Sequence, residues 1–139
     1  MKIKISTSPL LAHEEAIKQM LSNYNLSHMA AIKDCINESL EIILEENNQI
    51  IGGLLGRSLW GTLEIQSLVI AEDYRKKGLG RDLMLNAEKI ARQRGCDYIS
   101  LNTFSFQASG FYQSLGYKIF AEEKDFPLGY SKLYLRKTL

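Results

Sequence analysis

Apolar residues recur along this chain at two periods, and the switch between them predicts most of its elements. Residues 2–6 are apolar at every second position, which predicts a short strand. Over residues 13–24, Ala16, Ile17, Met20 and Leu21 fall at helical spacing behind a Ser8-Pro9 turn. Ala30, Ala31 and Ile32 suggest a second short helix within 25–37. Residues 39–45 and 49–60 read as strands joined at Asn47-Asn48, a hairpin signal. Gly52, Gly53 and Gly56 inside the second run mark a bulge or the close approach of another backbone. Gly61 then turns the chain into a third strand, 62–71.

From residue 78 the period changes. Leu79, Leu83, Met84, Ala87, Ile90 and Ala91 recur about every 3.6 residues, predicting an amphipathic helix to residue 94. Gly95 suits its C-terminal stop, with Arg92 and Arg94 in the last turn. A strand at 98–102, a short helix at 107–115 ended by Gly116, and strands at 117–122 and 132–137 complete the pattern. A strand–helix–strand unit between hairpins implies one right-handed parallel crossover. The expected class is α/β, a mixed sheet with helices on both faces.

Length and composition narrow the partners. The chain has 139 residues, the size of one domain, so a single domain over 1–139 is expected. Seventeen Lys and Arg balance sixteen Asp and Glu, for a net charge of +1. That argues against a basic nucleic-acid binder. No apolar run nears the roughly 18 residues of a membrane span. The first residues lack the apolar stretch of a secretory signal, so no membrane partner and a cytoplasmic location are expected. Cys35, Cys96, His13 and His28 share no metal-ligand spacing, so no metal is expected.

The stretch with chemical content is where the third strand runs into the long helix. Arg75, Lys76, Lys77, Gly78, Leu79, Gly80 and Arg81 place four cations and two glycines at a helix start. Helix N-termini offer free N–H groups and partial positive charge, and glycine lets an anion approach the backbone. The pattern fits a phosphate or pyrophosphate site, and it also fits a solvated basic turn capping a helix. It has no Gly-Lys-Ser/Thr, as a Walker A loop requires, and lacks the third glycine of a dinucleotide fingerprint.

Arg75-Lys76-Lys77-Gly78-Leu79-Gly80 resembles the Arg/Gln-x-x-Gly-x-Gly/Ala motif of the GNAT N-acetyltransferases. Ala108-Ser109-Gly110-Phe111-Tyr112-Gln113-Ser114-Leu115-Gly116-Tyr117 is similar to a second segment of that family, Ala-x-x-Phe-Tyr-x-x-x-Gly-Phe/Tyr. The blocks stand in the family's order, one helix and one strand apart. The resemblance implies the acyl-coenzyme A N-acyltransferase fold, a largely antiparallel sheet of six to seven strands with a central splay. It also implies acetyl transfer from acetyl-coenzyme A to a primary amine, expected to be that of a small molecule. The alternatives are a protein or peptide acceptor, or a silent acyl-coenzyme A-binding module.

By the same resemblance, Arg75 through Arg81 cradle the pyrophosphate, and Leu68, Val69 and Ile70 pair with the pantetheine arm as a strand would. The Val69 N–H is the expected oxyanion donor. Tyr112 is the expected general acid toward the leaving sulfur, beside Phe111 at the coenzyme. Glu64, eleven residues before Arg75, is the candidate base, and on a regular strand shares a face with Gln66 and Leu68. The family often has Asn three residues before the motif's Ala; here that position is Ser105, with Asn102 as a substitute. The aromatic run Thr103-Phe104-Ser105-Phe106-Gln107 is a candidate groove lining or core packing. The acceptor is expected between residues 13–37 and 122–130. Glu122, Glu123 and Asp125, with Glu38, Glu41, Glu45 and Glu46, would suit a cationic acceptor or are solvated charges. A homodimer through a sheet edge at 132–137 is a further expectation.

Overall fold

Two tight turns fold the middle of the chain into a three-stranded meander. Asn47 and Asn48 lie at φ 51° and 61°, and Trp60 and Gly61 at 51° and 79°. Two consecutive positive φ angles are what a two-residue hairpin turn requires. The computed structural model describes residues 1–139, Lys33 by its backbone alone. It gives strands β1 (Glu38–Glu46), β2 (Gln49–Leu59) and β3 (Thr62–Ile70) around these turns. Helix α1 (Leu11–His28) and a 3-10 turn (Ala30–Asp34) precede them; α2 (Leu79–Gln93), β4 (Tyr98–Phe104), α3 (Ser109–Ser114), β5 (Lys118–Lys124) and β6 (Ser131–Thr138) follow.

The chain divides into two compact units, residues 1–34 and 35–139. In the first, residues 2–6 form no strand, contrary to the alternation in the sequence. Alternation supplies an apolar face, but a strand exists only where a neighbour completes its ladder, and Ile3 and Ile5 are exposed. Helix α1 starts at Leu11, two residues earlier than its periodicity suggests.

The second unit holds six strands in the order β1-β2-β3-β4-β6-β5. All neighbours are antiparallel except β3 and β4, which α2 connects. Leu83, Met84, Ala87 and Ala91 of α2 pack into a cluster with Leu63, Ile65, Ile99, Leu101 and Leu135. The helix stops as its sequence predicts. Gly95 takes φ 71°, its N–H donates to Arg92 O, and Cys96 N–H donates to Ala91 O at 2.9 Å. Strand β6 is interior, between β4 and β5, so residues 132–137 cannot form the edge of a dimer. No helix among the described residues is long and apolar enough to cross a membrane.

Candidate active site

The sheet opens where β3 carries one extra residue. Opposite β2, Leu55 pairs with Ser67 and Gly56 with Ile65, so Gln66 is a bulge. Opposite β4, pairing ends at Ile65 and Leu101. Beyond that point β3 follows β2 to Ile70 while β4 follows β6, which produces the expected splay. A bulge bends a strand and increases its twist, and here it coincides with the parting of the strands.

The extra residue also exchanges the faces of β3. Leu63 and Ile65 are in the core before it; Leu68 and Ile70 pack against the core after it. Leu68 therefore does not share the face of Glu64, as a regular strand would have it; Val69 does. Main-chain direction follows the same parity. Ala71 N–H donates to Ile51 O at 2.8 Å, and the Val69 carbonyl oxygen crowds the Cα substituent position of Gly52 on β2. The polar groups of Val69 are thus turned toward β2, and those of Leu68 and Ile70 toward the open side. This corrects the expectation that the Val69 N–H faces the reaction.

Below the splay, the turn before α2 alternates its handedness. Lys76 has φ 60° and Gly78 has φ 81°. Such alternation bends successive N–H groups toward one point and forms an anion-binding concavity. Gly78 is the N-cap and no side chain caps the helix. The first helical bond runs from Asp82 N–H to Gly78 O at 3.0 Å, so the N–H groups of Leu79, Gly80 and Arg81 precede the intrahelical ladder. The cations divide. Arg75 Nε donates to Ile70 O at 2.9 Å, fastening the turn to the end of β3. Lys77 lies over the Tyr74 ring and does not line the cleft, whereas Arg75, Lys76 and Arg81 do. Tyr74 in turn donates to Glu46 on β1.

That cleft, of about 810 Å³, runs from Gly78, Gly80 and Arg81 along Leu68, Val69 and Ile70 to Phe111 and Tyr112. A second cavity of about 310 Å³ fills the splay between β3 and β4, lined among others by Gln66, Ser67, Leu101, Asn102 and Gln107. Leu68, Ala108 and Tyr112 line both. Tyr112 is held by a hydrogen bond from Tyr117 N–H to its carbonyl at 3.1 Å and by edge-on contacts with Phe111 and Tyr117. Burial raises its phenol above the ordinary value, so it keeps its proton at neutral pH.

Other residues singled out from the sequence fall less centrally. Asn102 lines the splay cavity. Ser105 does not; its Oγ accepts the Ser131 N–H at 2.9 Å and ties the end of β4 to the start of β6. Glu64 is exposed opposite Arg57 of β2, on the outer face of the sheet and outside both cavities. Gln107 closes the run 103–107 expected to line a groove or pack in the core. It lines the splay cavity, and its Oε1 accepts from Phe104 N–H at 2.9 Å and Thr103 Oγ at 3.1 Å.

A splayed mixed sheet with an uncapped, anion-shaped turn beneath it defines an acetyltransferase architecture. The chain belongs to the acetyltransferase (GNAT) family, whose model matches residues 11–117. It is 38% identical over 95 residues to a blasticidin-S acetyltransferase of Streptomyces morookaense, covering 68% of this chain and 70% of that one. An acetyltransferase of Agrobacterium fabrum is 32% identical over 105 residues, covering 75% and 74%. The crystal structure of an acetyltransferase from Bacillus cereus superposes with a TM-score of 0.86 at 31% identity, covering 98% of each chain. The protein is an acetyl-transferring enzyme of the N-acetyltransferase type.

Proposed function

We propose that the enzyme moves an acetyl group from acetyl-coenzyme A to the primary amine of a small molecule, and that both compact units serve one catalytic domain. The family match crosses the boundary between the units, which supports the second part. A relative named for a small-molecule acceptor supports the first. The observation that carries the reading is the junction of the two cavities at Leu68 and Tyr112. A donor seated in the lower cleft would present its thioester there, and an amine would arrive through the splay.

In this reading the N–H groups of Leu79, Gly80 and Arg81, with the Lys76 and Arg81 cations, hold the pyrophosphate. The Ile70 N–H and Leu68 carbonyl pair with the amide-rich arm as a missing strand would. The Leu68 N–H donates to the thioester oxygen as negative charge builds on it. The amine nitrogen forms its bond to the carbonyl carbon, the carbon–sulfur bond breaks, and the Tyr112 hydroxyl delivers a proton to the departing sulfur. The proton shed by the nitrogen leaves through water to Glu64 on the outer face, and solvent restores the phenol. Asn102 lines the acceptor side, and Phe111 supports the cleft from α3.

Release of free thiol from acetyl-coenzyme A, measured against small amines and against peptides with free N-termini, tests the assignment. Turnover with small amines is expected. Saturable coenzyme binding with turnover on peptides alone would overturn it.

A further inference from the structure

Beyond Asn102, on the same face of β4, an aromatic wall begins that acetyl transfer itself does not use. Phe104 stacks on Phe106 with centroids 5.5 Å apart and planes within 5°. It also stacks on Phe126 at 6.0 Å, and Tyr130 meets Phe106 edge-on at 5.1 Å. These rings come from two segments distant in sequence, the end of β4 with the turn after it and the loop between β5 and β6. Ser105 N–H donates to Ser131 O at 2.8 Å and Ser131 N–H donates back to Ser105 Oγ, while Tyr130 N–H closes its own loop on Pro127 O. The Gln107 side chain fixes Phe104 N–H to the cavity wall.

The wall is rigidly supported and yet wet. Phe106 is 56% exposed, and Phe126 and Tyr130 are each 50% exposed. Large rings held in water on a fixed frame beside a cavity are the usual marks of a recognition surface. Its chemistry is further restricted by Lys132, whose ammonium lies 5.4 Å from the Phe126 centroid and 5.3 Å from that of Tyr134. That cation already lies over Phe126, and Glu123 stands opposite Lys132 across β5 and β6, so this end of the wall is balanced in charge and selects by shape.

We infer that Phe104, Phe106, Phe126 and Tyr130 form an acceptor subsite that takes a neutral, planar unsaturated ring, with the amine of the same molecule reaching past Asn102 into the splay cavity. The inference rests on the reading of that cavity as the site of acetyl transfer. It adds that the acceptor is a ring-bearing amine rather than an aliphatic polyamine.

The test compares 2-phenylethylamine with 2-cyclohexylethylamine, which match in length and carbon number and differ in flatness. Affinity is measured by calorimetry with coenzyme A present, and acetylation separately by mass. The flat amine is expected to bind about fivefold to tenfold more tightly, the range of one added ring contact. Phe106→Ala should bring that ratio close to one while leaving coenzyme A affinity unchanged, with any lowering of the urea midpoint small enough that the variant stays folded under the assay conditions. Equal affinities in the native enzyme, a ratio that survives Phe106→Ala, or no binding of either amine would each overturn the subsite. A ring preference in binding with no acetylation of any amine would support the wall and instead overturn the proposed reaction.

Discussion

A Cβ atom on Gly80 would stand 3.3 Å from Cζ of Phe111. The second glycine of the turn thus makes room for α3, whereas around Gly78 a Cβ would meet nothing within 4 Å. Gly78 is instead required by its φ of 81°. The more open glycine should therefore be the costlier to replace. Gly78→Ala should lose about 1–2 kcal/mol to left-handed strain. In Gly80→Ala the helix gain of about 1 kcal/mol offsets mild crowding of the ring edge, leaving stability within about 1 kcal/mol of the parent. Urea titrations of both variants decide the order. Gly80→Asp, by contrast, should weaken coenzyme binding through packing as well as charge.

Tyr112→Phe keeps the ring between Phe111 and Tyr117 and removes only the hydroxyl. If that hydroxyl protonates the sulfur, kcat should fall about 100-fold or more while coenzyme affinity stays within about twofold. Because burial raises the phenol, any loss of kcat through deprotonation of this acid should come at higher pH than for an ordinary tyrosine. Steady-state kinetics across pH, beside calorimetry, would expose a purely structural role as unchanged kcat.

The cations of the turn should differ in their effect. Arg81 lines the cleft and Lys77 does not. Arg81→Ala should weaken coenzyme A about fivefold to tenfold, as befits one lost phosphate contact, and Lys77→Ala by less than about twofold. Pantetheine, which has no phosphates, should bind equally to all three proteins. A loss of pantetheine affinity in Arg81→Ala would show that the substitution acts on something other than phosphate.

Glu88 is buried on α2, where Oε1 accepts from Lys137 Nζ at 2.9 Å and from the Tyr117 hydroxyl at 3.3 Å. Removing one partner of such a pair leaves the other charge poorly solvated. Glu88→Ala should cost about 3 kcal/mol, and Glu88→Leu with Lys137→Met should recover most of it. Equal urea midpoints for the single and double variants would contradict this.

The same neighbourhood sets an alkaline limit. Burial raises both Tyr112 and Tyr117 above 10.0, and Glu88 raises Tyr117 further. An unfolded chain releases these protons near pH 10.0 while the folded one retains them. Stability from this source is complete below that pH and declines above it, because the unfolded state then binds fewer protons. Tyr117→Phe should make stability fall less steeply between about pH 10 and 11, as followed by denaturant titration at each pH.

Local chemistry made much of this protein readable from its residues. The Asn47-Asn48 hairpin, the 3.6-residue stripe of α2, the stop at Gly95 and the basic glycine turn depend on backbone preferences and periodicity acting within a few residues. The α/β class followed from those, and the two family segments were legible as a resemblance to known motifs. What the sequence could not decide was every property set by a partner distant along the chain. The bulge at Gln66 exists only because Ile65 and Ser67 are registered against Gly56 and Leu55. That single extra residue exchanges the faces of Leu68 and Val69 and turns the Leu68 main chain toward the opening. Gly80 answers to Phe111, Ser105 to Ser131, and 132–137 became interior because β6 inserts between β4 and β5. Residues 2–6 had the alternation of a strand and no ladder to join. Periodicity specifies which side of an element is apolar; pairing and packing decide what that side meets.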